Sequence, residues 1–122
     1  QRRPGAAVEA AELLAFARER TPERAAVPVQ VYFVDAIPLT AVGKVFKPAL
    51  RLDAAERAVQ RLLADLARGR IGIRVEAAAH AEHGQLLTVW VDGVGDGDRA
   101  ELQRTVDARL DPLVMKHAIV WG

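Results

Sequence analysis

The sequence predicts an α+β fold, and three observations carry the prediction. Leu52, Ala55, Val59, Leu62, Leu63 and Leu66 recur at the spacing of a helix with one apolar stripe. Ile71, Ile73 and Val75 alternate with Gly72, Arg74 and Glu76, as on a half-buried strand. One β-branched, aromatic stretch precedes that helix, and further apolar stretches follow it. Counted from residue 29, behind a leading helix, the order is β-α-β-β-α-β. That order predicts a ferredoxin-like sandwich, a four-stranded antiparallel sheet with helices on one face.

Each element has its own warrant. Residues 6–20 are predicted helical, with Val8, Ala11 and Leu14 on one side beside Leu13 and Phe16, and Pro22 ends the run. Residues 27–34 are rich in strand-forming side chains and are entered through Pro28. Pro38 and Gly43 interrupt regular structure, which makes residues 36–44 a loop. The striped helix is expected to begin near Pro48, whose fixed φ suits a first turn, and to run to Ala67 with Gly69 as its C-cap. After the strand at 71–75, His83-Gly84 marks a turn and Leu86 to Val91 the next strand. Asp96 or Asp98 is expected to cap a third helix carrying Leu102, Val106 and Leu110. Pro112 stops it, and residues 114–121 close the chain as a strand. The Leu62/Leu66 and Leu102/Val106 stripes are expected to bury together, leaving the other sheet face for the leading helix, another domain or a second copy.

Composition narrows the function classes. An apolar fraction of 51% can supply a core, and 27% charged residues keep the surface wet. The net charge of +1 offers no field for nucleic acid. The absence of cysteine excludes disulfides, thiolate metal sites and a cysteine nucleophile, and the absence of serine excludes a serine triad. No apolar run approaches the ~20 residues that span a bilayer. Arg2-Arg3 has no apolar region behind it, so no signal peptide is predicted and a cytoplasmic location is expected. The chain opens on Gln1 rather than Met and is expected to be a piece of a longer protein.

Two clusters suggest metal chemistry and are better read otherwise. His80, Glu82, His83 and His117 could be ligands, but the turn at His83-Gly84 makes the first three hairpin residues. The run Asp92-Gly93-Val94-Gly95-Asp96-Gly97-Asp98 lacks the ligand spacing and closing glutamate of a calcium loop and reads as a glycine loop before a helix. No metal site is predicted. Trp90 and Trp121 lie on strands, either in the core or on a face that meets a partner.

The most informative stretch is Ile37-Pro38-Leu39-Thr40-Ala41-Val42-Gly43-Lys44-Val45-Phe46-Lys47-Pro48-Ala49-Leu50-Arg51. A Walker A reading fails, because Pro38 stands where glycine is required and Val45 where Ser or Thr is required. Together with Phe33-Val34-Asp35, the stretch resembles the terminal lysine motif of the adenylate-forming ligases: Pro-x-Thr, a glycine turn, a lysine and a helix closing in Leu-Arg. Pro4-Gly5, Glu12-Leu13-Leu14 and Pro22 to Pro28 resemble the preceding stretch in acyl-CoA synthetases, so the resemblance covers residues 1–51. Leu39 to Lys44 followed by Phe46-Lys47-Pro48 looks most like the fatty-acyl-CoA synthetases.

The resemblance implies a role for each residue. Lys44 would be the adenylation lysine, Gly43 its conformational enabler, and Thr40, Lys47 and Arg51 its supporting residues. Residues 1–51 would be part of the C-terminal domain of an acyl-CoA synthetase. Residues 52–122 would be an unusual extension, completing one compact sandwich with residues 29–51. Mg-ATP and CoA would be cosubstrates of the full-length enzyme, with none bound by this chain alone. Its partners would be an N-terminal ATP- and acyl-binding domain in cis and a carboxylic, fatty-acid-like substrate. The alternative is a non-catalytic binding or oligomerisation module, such as a homodimer formed through a sheet face.

Overall fold

The computed structural model describes residues 1–122 and divides them into two units, Gln1–Phe46 and Lys47–Gly122. In the first unit, helix α1 spans Ala10–Arg20. It starts four residues later than predicted because Glu9 is its N-cap, donating its backbone N–H to the Glu12 carboxylate at 2.7 Å. A 3₁₀ turn at Arg24–Ala26 follows. The strand predicted over residues 27–34 is absent; these residues form no helix and pair with no strand. Arg2 stacks on Phe33 with its guanidinium 3.9 Å from the ring centre. No residue of this unit is fully buried, so it has no core of its own.

The second unit contains α2 (Lys47–Leu62), β1 (Gly72–His80), β2 (Gly84–Asp92), α3 (Asp96–Leu110) and β3 (Lys116–Trp121). Its sheet has three strands in the order β1-β2-β3. β1 and β2 form an antiparallel hairpin, whereas β2 and β3 run parallel across the α3 crossover. The architecture is therefore α+β with a mixed three-stranded sheet, not the predicted four-stranded antiparallel sandwich. A fourth strand has no slot beside β1 or β2. β2 uses both of its edges on β1 and β3, and side chains from α2 fill the outer edge of β1. There Gln60 Nε2 donates to the Ile73 carbonyl at 2.9 Å, and its Oε1 accepts the Val75 N–H at 2.9 Å. The Ala77 N–H donates to the Glu56 carboxylate at 3.2 Å.

One sheet face carries the core. Val75 is opposite Val89, Ile73 opposite Val91 and Ala77 opposite Leu87, so these side chains share a face. Val59 and Leu63 close over it from the α2 side, and Val106 and Leu110 from α3. On the other face Trp90 lies opposite Arg74, whose guanidinium sits 4.9 Å from the indole centre.

Several boundaries differ from the periodicity. α2 ends at Leu62, well short of Ala67, so Leu63 turns fully inward while Leu62 stays 40% exposed. Gly69, at φ 63°, serves the turn beyond rather than the helix end. Gly95 is the N-cap of α3, and Asp96 and Asp98 lie inside its first turn, where the positive end of the helix favours carboxylates. β1 continues past Val75 to His80, and β3 starts at Lys116 because Val114 is fully solvated.

A lysine-bearing hairpin as the candidate functional site

The loop predicted around Gly43-Lys44 is a miniature hairpin. Phe46 N–H donates to the Pro38 carbonyl at 2.8 Å, and Leu39 and Val45 form an isolated antiparallel bridge. Inside it, Thr40 N–H donates to the Lys44 carbonyl at 2.7 Å. Lys44 N–H returns a bond to Thr40 Oγ1 at 3.1 Å, and Gly43 N–H donates to the Thr40 carbonyl at 2.9 Å. Closing so tight a turn puts Gly43 at φ 78°, a conformation that glycine adopts without side-chain strain.

Lys44 is exposed on this clamped turn and takes part in none of the ion pairs. Its neighbours are apolar and exposed: Leu39, Val42, Val45 and Phe46, with Val42 at 79%. An exposed ammonium on a turn whose backbone is fixed can meet an anion as a compact point charge.

The hairpin brings Thr40, Gly43 and Lys44 together. Lys47 and Arg51 belong to the second unit, where they stand one turn apart in the first turns of α2, both exposed. The Pro38–Phe46 and Leu39–Val45 pairings were missed from the sequence. The only signal for them was the β-branched and aromatic residues flanking the glycine turn.

His117 stands apart from the other two histidines. His80 and His83 stack at 4.8 Å in the β1–β2 turn, where Glu82 N–H donates to His80 Nδ1 at 3.3 Å. His117 Nε2 hydrogen-bonds Asp107 Oδ1 at 2.9 Å. No group of three or more His, Cys, Asp or Glu is placed to hold a metal ion. No helix is long and apolar enough to cross a membrane. The strongest charged contact is structural: Arg109 grips the Asp65 carboxylate with both terminal nitrogens and donates to the Leu62 carbonyl at 2.8 Å. The Arg109 hydrogen bond holds the Asp65 pKa at about 2, below the ordinary 3.8.

No protein-family model matches the chain. The chain is similar to the marinolic acid–CoA ligase of Pseudoalteromonas sp. (strain SANK 73390), at 37% identity over 59 residues. The match covers 48% of this chain and 9% of that ligase, so the chain spans under a tenth of its relative. No solved structure matches. A partial relationship to a CoA ligase follows.

Proposed function

We propose that the chain is a C-terminal piece of an ATP-dependent acyl-CoA synthetase and supplies the adenylation lysine, Lys44. In this reading, residues 1–51 belong to the ligase C-terminal domain and residues 52–122 extend it. A carboxylate oxygen attacks the α-phosphorus of ATP, a C–O–P linkage forms and pyrophosphate leaves. The CoA thiol then displaces AMP from the acyl carbonyl. The first step brings two anions together, and a cation held between them lowers the barrier. The observation that carries the reading is the Thr40–Gly43–Lys44 clamp, which fixes the lysine backbone and leaves the ammonium exposed. Thr40 and Gly43 shape the turn, with Lys47 and Arg51 as auxiliary cations on α2.

Mg-ATP, CoA and the fatty-acid-like substrate are assigned to a preceding domain of the same polypeptide, as the family resemblance implies. Capture of the native gene product with an antibody to this chain tests the reading. We expect a mass several times 13.2 kDa and carboxylate-dependent exchange of labelled pyrophosphate into ATP. A product of the chain's own size without exchange would sink it. In that case the binding-module reading would lead, favoured by Trp90 on the sheet face opposite the core.

A further inference from the structure

The two edges of the sheet are treated differently. Gln60 and Glu56 fill the outer edge of β1 with the hydrogen bonds a neighbouring strand would make. β3 has a partner on one side only. Gly122 N–H points inward, to the Val91 carbonyl at 2.9 Å, so by the two-residue period the amides and carbonyls of His117, Ile119 and Trp121 point outward. Exposed edges are commonly blunted by proline, bulges or inward-pointing charges. The strand Lys-His-Ala-Ile-Val-Trp has none of these, and Lys116, its one fixed charge, stands at the very end.

We infer that β3 pairs antiparallel with β3 of a second copy about a twofold axis at Ile119, joining two three-stranded sheets into one of six. The strand is compatible with itself in this register. Ile119 meets its own copy, His117 meets Trp121, and Ala118 meets Val120. Lys116 falls opposite Gly122, so the two lysines end roughly 20 Å apart at the rise of a strand, beyond a Debye length of about 8 Å. The apolar surface is also continuous, because Trp90 adjoins Val120 on the face away from the core and Ala118 of the copy would extend that row. The proposal is independent of the ligase reading.

Sedimentation equilibrium of the whole chain tests it at concentrations up to about 1 mM, the range where weak pairs form. The expected mass rises from 13.2 kDa toward twice that value, and exchange of the Ile119 amide slows in parallel. Ala118→Lys with Val120→Lys places like charges opposite one another and should give a monomer throughout. Ala118→Lys with Val120→Glu places opposite charges there and should restore the dimer. All variants are checked for native circular dichroism. A wild type that stays monomeric, or a dimer that survives the double lysine change, overturns the proposal. Equal behaviour of the two double variants would refute the register.

Discussion

Thr40 and Lys44 hold each other across the turn: Thr40 N–H donates to the Lys44 carbonyl, and Lys44 N–H donates to Thr40 Oγ1. The lysine backbone is thereby fixed without engaging its side chain. Thr40→Val removes only the Oγ1 acceptor, worth about 1 kcal/mol or roughly fivefold. In the proposed full-length ligase, adenylate formation should fall by about that factor while Thr40→Ser stays near wild type. Single-turnover assays of both variants check this.

Gly43 and Gly93 have similar backbones, φ 78° and 75°, but different surroundings. A Cβ at Gly43 meets open space, whereas at Gly93 it runs into the Arg70 carbonyl oxygen. Gly93→Ala should lower the melting temperature of the second unit by at least about 10 °C, because backbone must move as well as bear strain. Gly43→Ala should shift that melting by under about 2 °C.

Gln60 substitutes for a strand at the edge of β1, so Gln60→Leu leaves the Val75 N–H and Ile73 carbonyl unpaired. The expected loss is about 2–3 kcal/mol in urea unfolding, with Gln60→Glu losing roughly half as much because it keeps the acceptor. A loss within about 0.5 kcal/mol would mean that water replaces the amide freely.

The Asp65–Arg109 pair makes stability depend on pH in one window. The carboxyl is held at about 2 when folded against 3.8 ordinarily, chiefly by the Arg109 hydrogen bond. A depressed carboxylate pKa contributes stability above the unfolded value, and that contribution is lost as pH falls through the folded value. The difference in melting temperature between wild type and Asp65→Asn should therefore be constant above pH ~5, shrink between pH ~4 and ~2, and vanish below. A difference unchanged at pH ~2 would contradict the assignment.

Much of the second unit was legible because its patterns are local: the α2 stripe, the Ile71–Val75 alternation and the Leu102/Val106/Leu110 spacing each required only one element. Failures came where a neighbour decides. Residues 27–34 have strand composition, but Pro28 donates no hydrogen bond and β2 already uses both of its edges on β1 and β3, which leaves no central slot. The parallel pairing of β2 with β3 depends on how α3 crosses over, which no window of residues encodes. At the candidate site, Pro38 and Gly43 announced the turn. That Thr40 ties the loop to its own backbone follows from its residue type, whereas its partner, Lys44, depends on backbone direction and became visible only in the fold.

The proposal that Lys44 serves adenylation is tested most directly by separating the two half-reactions in the proposed full-length ligase. With Lys44→Ala, adenylate formation should fall by at least ~10²-fold, the scale for losing one donor to developing charge. Thioester formation from a preformed acyl-adenylate should be largely kept. Normal rates in both half-reactions would contradict the account.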